Sequence, residues 1–203
     1  MSTLVILGAG GHGRVVADAA LAQGAARTLV ATDRNPARCA GQLLPGVPLQ
    51  PLEAALSDAG VRVHVAIGDN TARQRESQAV SDRLATVIHP QASVSPHAEA
   101  GAGCFIAAQA VVAPGARLGQ GVIVNHGAVI DHDCQIGDYC HIAPGVTLGG
   151  GVTLGAGVLA GSGARILPGL SVCDGAVIGA GAVVHQSLTE PGVYAGVPAR
   201  RIR

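Results

Sequence analysis
Imidazole and carboxylate crowd together at one place in this chain, Asp131-His132-Asp133-Cys134, shortly after Asn125-His126-Gly127. A histidine beside an acid is the pairing a general base requires, because the carboxylate fixes the imidazole tautomer and stabilises the imidazolium that forms. His132 is the candidate base, and Asp131 and Asp133 both flank it. A second chemistry is written near the start. Gly8-Ala-Gly-Gly-His-Gly13 satisfies G-x-G-x-x-G, and Asp33 follows twenty residues after Gly13. By pattern this is a dinucleotide fingerprint, in which bare backbone and a helix N-terminus cradle a pyrophosphate. A phosphate-bearing ligand is expected there.

The elements that must position these residues follow two different grammars. From Ile88 to Val184 every sixth residue is aliphatic: fifteen of seventeen are Val, Ile or Leu, and no insertion breaks the series. Four residues after each stands a small or modest side chain, as at Ala98, Cys104, Ala110, Cys134 and Cys140, and glycine repeatedly precedes it. A period of six fits neither a 3.6-residue helix nor an alternating strand, and it is the signature of a hexapeptide β-helix. Three hexads make one coil, so about five coils stacked ~4.8 Å apart form a prism with an aliphatic interior. Cys104, Cys134 and Cys140 fall on the small inward position and read as packing. Gly150 lies 18 residues beyond His132, one coil away on the same corner, inside Gly149-Gly150-Gly151. A strip without side chains beside a base leaves room for a slender ligand and an N–H for an oxyanion.

Residues 1–87 read as α/β. Thr3–Leu7, Thr28–Thr32 and Val61–Ile67 are the expected strands. Arg14–Gln23, Leu52–Asp58 and Thr71–Leu84 are the expected helices, the last capped by Asp69 or Asn70. Strands alternating with helices imply a parallel sheet. About half of a full two-unit nicotinamide fold is present, which favours a nucleotide-sugar over NAD. The expected division is an α/β Rossmann-like domain over 1–87, a left-handed parallel β-helix of hexapeptide repeats over 88–186, and a capping tail over 187–203.

Composition narrows the function classes. Thirteen arginines, no lysine and thirteen acids give zero formal charge in 203 residues, which argues against a broad nucleic-acid or anionic-membrane surface. With three aromatics, Phe105, Tyr139 and Tyr194, base stacking is not expected. Five cysteines without C-x-x-C do not suggest a disulfide framework, and no basic, apolar leader opens the chain, so a cytoplasmic protein is expected. His89, His97 and His185 read as solvated corner residues. The steps of 8, 6 and 9 residues from His89 to His97, His126 to His132 and His132 to His141 do not suggest a metal site.

The chain resembles the NeuD/PglD-type sugar acetyltransferases, through Gly8–Gly13, Ala66-Ile-Gly-Asp-Asn70 with Arg73, Val87-Ile-His-Pro90, Ile130–Cys134, Gly145–Gly151 and Gly196-Val-Pro-Ala-Arg-Arg201. That resemblance implies a homotrimer of left-handed β-helices with active sites between neighbouring subunits. It implies acetyl-CoA as cosubstrate and the amine of a nucleotide-linked amino sugar as acceptor. His132 is then the general base and Asp133 the acid that orients it. Asn125 lies near the base, and His141 with Gly149 and Gly150 faces acetyl-CoA. Gly8, Gly10, Gly11, His12, Gly13, Asp33 and Asn70 hold the acceptor. Rival readings are sugar O-acetylation, a nucleotide-binding trimeric scaffold and a nicotinamide oxidoreductase.

Overall fold
The computed structural model describes residues 3–203, so Met1 and Ser2, at the start of the segment read for a leader, lie outside it. The described residues divide into two compact units between Pro90 and Gln91.

The first unit is built on three parallel strands, β1 (Thr3–Leu7), β2 (Thr28–Thr32) and a third introduced below. The helix α1 (Gly11–Gln23) follows β1 and buries Val16, Ala17, Ala19 and Ala20. It starts three residues earlier than expected, because Gly11 to Gly13 already adopt helical backbone. Gly24 ends it in the left-handed conformation, its N–H bonded to the Ala20 carbonyl at 3.2 Å. After β2 comes an unexpected hairpin, β3 (Gln42–Leu44) and β4 (Val47–Pro48), then α2 (Leu52–Leu56). The third strand is β5 (Arg62–Val65), and α3 (Asn70–Gln78) follows it. Asp69 caps α3, its carboxylate accepting the Ala72 N–H at 2.7 Å. The helix stops at Gln78 rather than Leu84, and the remaining turn is a separate 3-10 segment, Ser81–Arg83.

The sheet order is β2-β1-β5, with β1 central and both pairings parallel. The chain therefore crosses from one side of β1 to the other, and the C-terminal strand ends at that crossing are where open α/β sheets bind ligands. Gly8–Gly13, Asp33 and Ala66–Asn70 all follow those ends. Val5, Leu7, Val30, Val63 and Val65 form the core beneath them. His64 is buried in the same sheet. Desolvation, reinforced by Arg73, pushes its pKa down to about 4 despite a 2.8 Å bond from Nδ1 to the Ala85 carbonyl.

The second unit is the β-helix. Two-residue strands recur every six residues and stack in parallel at an offset of 18, as in Val111↔Val129 and Val129↔Thr147. One face carries six strands, from Ser93–Val94 to Val183–Val184, so the prism is about one coil taller than the hexad count suggested. The aliphatic positions Ile106, Val124, Ile130, Ile142 and Leu148 are fully buried, as are Cys104, Ala110, Cys134 and Cys140 at the small position. Each coil turns a corner through a left-handed residue, usually glycine, with φ from +62° to +77° between Gly103 and Gly181. Val193–Ala195 then pairs with the face at an offset of 16, Val177↔Val193, and Arg200–Arg201 folds back antiparallel on it. The offset of 16 departs from the coil repeat of 18.

Candidate active site
At the corner after Val129–Ile130 the backbone turns through Asp133, not glycine, at φ +59°. The other non-glycine residues with positive φ, Gln109 and Tyr139, hold the same hexad position. Asp133 Oδ2 accepts from His132 Nδ1 at 2.8 Å, while Asp131 Oδ1 accepts the His132 backbone N–H at 2.7 Å. The two flanking acids thus divide the work: Asp133 orients the ring, and Asp131 fixes the backbone beneath it. With Nδ1–H given to Asp133, neutral His132 presents the Nε2 lone pair. The Asp133 hydrogen bond, followed by the charge of Asp131, raises the His132 pKa above the ordinary histidine value. Both side chains are largely exposed in the isolated chain, at 62% and 73%.

One coil on, Gly150 lies directly against this imidazole, and a Cβ there would collide with His132 Nε2 and Cε1. Glycine is demanded by the ring. The N–H at this hexad position takes no part in the coil ladder, which is why Pro114, Pro144 and Pro168 occupy it elsewhere. At His126, His132, Gln120 and Ala156 a side-chain oxygen accepts it. The Gly150 N–H has no partner among the described residues. Beneath the strip, the buried Cys134 thiol donates to the Gly149 carbonyl at 3.3 Å. Burial pushes its pKa up, opposite to what a nucleophilic thiolate needs.

Asn125 and His141 meet as a pair, Asn125 Nδ2 lying 3.3 Å from His141 Nε2. They do not meet His132 in one chain. Asn125 follows the strand Ile123–Val124 and His141 sits on the same face, whereas His132 follows Val129–Ile130 on the next face. Asn125 and His132 thus follow strands of different faces of one prism. Six residues carry the chain from one corner to the next.

In the first unit the glycine loop splits into two roles. Gly8, at φ +125°, would place a Cβ 2.6 Å from the Ala66 carbonyl oxygen, and a Cβ on Gly13 would strike the Gly8 carbonyl. Gly10 and Gly11 face open space. The first pair closes the loop, and the second leaves backbone open to a ligand. Asp33 reaches back to this loop, Oδ2 accepting the Ala9 N–H at 2.8 Å and Oδ1 the Asn35 N–H at 2.9 Å. It borders a cleft of about 330 Å³ shared with Arg34, Pro36, Cys39, Pro51 and Leu52. Asn70 Oδ1 accepts from Arg73 Nη2 at 2.9 Å, and the buried Arg73 also holds the Ile67 carbonyl at 3.0 Å. His12 is half-buried in the first turn of α1. Among the described residues, no group of three or more His, Cys, Asp or Glu side chains is placed to hold a metal ion.

Residues 3–80 match the PglD N-terminal domain, 115–150 the bacterial transferase hexapeptide (six repeats), and 158–186 the hexapeptide repeat of succinyl-transferase. The acetyltransferase domain of PglB from Neisseria gonorrhoeae is 36% identical with a TM-score of 0.91, each chain being covered over 100% of its length. The chain belongs to the PglD-type hexapeptide-repeat sugar acetyltransferases. The same PglB domain has been solved with acetyl coenzyme A, again 36% identical over 98% of both chains, with a TM-score of 0.91. A histidine-to-alanine variant of GDP-perosamine N-acetyltransferase from Caulobacter crescentus, solved with CoA and GDP-perosamine, is 35% identical with a TM-score of 0.92, covering 100% of this chain and 98% of its own. No curated protein sequence matches.

Within this acetyltransferase, Arg73 holds the loop and Asp131 caps the backbone at His132, two roles that the residue pattern alone does not show. A signal existed at the corner: among the hexads from Gly103 to Gly181, Gln109, Asp133 and Tyr139 stand where glycine otherwise recurs. The cleft residues Arg34 and Leu52 carried no such signal, because their approach depends on how the polar segment between β2 and α2 folds.

Proposed function
We propose that this enzyme transfers the acetyl group of acetyl-CoA directly to the amine of a nucleotide-linked amino sugar, with His132 as general base. The observation that carries the reading is the His132 Nδ1–Asp133 Oδ2 bond of 2.8 Å, with the ring resting on bare Gly150. The acceptor amine attacks the thioester carbonyl while His132 Nε2 removes its proton. The Gly150 N–H stabilises the oxyanion of the tetrahedral intermediate. As that intermediate collapses, the C–S bond breaks and the imidazolium returns its proton to the CoA thiolate. Gly8–Gly13 receives the pyrophosphate of the acceptor, and the cleft beside Asp33 takes the remainder of its nucleotide. The PglB and GDP-perosamine complexes with acetyl-CoA, CoA and GDP-perosamine support both substrate classes.

A ligand that touches His132 and Gly150 as well as Asn125 and His141 must meet two different corners. Two copies of the chain placed side by side supply them, which supports a homotrimer with shared sites. The use of acetyl-CoA supports a cytoplasmic location.

Isothermal titration separates this reading from its rivals. Acetyl-CoA and UDP or GDP are expected to bind, followed by thiol release across a panel of nucleotide-amino sugars. Binding of NAD without acetyl-CoA would overturn the proposal, and thiol release with a sugar hydroxyl acceptor alone would replace N- by O-acetylation.

A further inference from the structure
We propose that Gly115 is a positioning residue for the acid–base pair. This rests on His132 being the general base. Gly115 occupies the turning position one coil before Asp133, in the same column of left-handed corner residues. A Cβ added to it would collide with Asp133 Oδ1, the carboxylate oxygen that does not bond His132. The carboxylate therefore spans two neighbours: Oδ1 rests over the bare Cα of Gly115 while Oδ2 holds the imidazole.

The steric consequence is confined to chemistry. Asp133 is exposed at 73%, so its carboxylate can swing aside at small cost to the fold. That swing carries Oδ2 away from Nδ1 and releases the ring. Any substitution at Gly115 also bears a backbone cost, since its φ is +77°. Gly175 supplies the control: it turns a different corner at φ +67°, and a Cβ there meets nothing within 4 Å. Alanine at either glycine imposes similar backbone strain, and alanine at Gly115 alone displaces a carboxylate.

The experiment measures kcat and kcat/KM against pH, the acetyl-CoA KM and the melting temperature for Gly115→Ala, Gly175→Ala and His132→Ala. Gly115→Asn, whose side chain tolerates the left-handed backbone while carrying the same Cβ, guards against loss of folding. Both Gly115 variants are expected to lose at least about tenfold in kcat, since an unoriented imidazole is a poor base. Their acidic pH limb moves down toward the ordinary histidine value, with acetyl-CoA KM unchanged and Gly115→Ala melting close to Gly175→Ala. A kcat and pH limb matching Gly175→Ala would overturn the proposal, and so would slow turnover with an unshifted limb. Near-normal turnover in His132→Ala instead defeats the base assignment itself, so the two failures are distinct.

Discussion

Asp133 meets two demands that usually fall on different residues, since it turns the corner and orients the ring of the proposed base. Aspartate is among the few non-glycine residues that enter left-handed backbone, and here its carboxylate serves the neighbouring ring. The sequence brought both acids beside His132 and could not choose between them, because adjacency in a chain does not specify which side chain faces the ring. The corner geometry chooses. It also sets an expected pH dependence: a protonated His132 cannot serve as the proposed base, and its pKa is raised, so the acid limb is expected above the ordinary histidine value. In Asp133→Asn that limb moves to lower pH, and kcat falls at least about a hundredfold because the tautomer is no longer held. Asp131→Asn moves the limb the same way by less. A kcat/KM profile across the neutral range checks both, and coincident wild-type and Asp133→Asn limbs would refute the assignment.

At the scale of elements, the prism was legible because stacking leaves no freedom of register. A single inserted residue would move every later aliphatic side chain off the interior, so seventeen hexads in phase carry the fold by themselves. The α/β unit was legible in its strands and less so in its connections. The hairpin β3–β4 is short and only Leu43 and Val47 of its strand residues are buried, and the break after Gln78 depends on packing of Val80 and Leu84 into the core. The glycine loop is legible as a pattern, but the pattern does not say which glycines close the loop and which stay open. Gly13→Ala is expected to unfold the first unit, because its Cβ strikes backbone that cannot yield. Gly11→Ala is expected to leave the melting temperature within a few degrees of wild type. It raises the nucleotide-sugar KM about tenfold, the equivalent of one contact of ~1.4 kcal/mol, with acetyl-CoA KM unchanged. Calorimetry and steady-state kinetics on the two variants test the division; a stable Gly13→Ala or an unaltered KM in Gly11→Ala would contradict it.

At the scale of the whole molecule, hexad arithmetic placed Gly150 on the corner of His132 and equally placed Asn125 on another. The proposed homotrimer, about 60 kDa from the 20.0 kDa chain, would bring the two sets together on one ligand. Chains bearing His132→Ala and chains bearing His141→Ala are each expected to be nearly inactive. Co-refolded in equal amounts, they regain about a quarter of the sites, those drawing an intact residue from each of two copies. Absence of recovery in mixed trimers would contradict a shared site.

The central claim is that the imidazole of His132 moves the proton and no covalent enzyme intermediate forms. Turnover and acetyl-CoA affinity measured on the same preparation of His132→Ala test it most directly. The predicted result is an unchanged dissociation constant with kcat reduced about 10²- to 10⁴-fold, the usual contribution of a general base. A kcat near that of the wild type would contradict it.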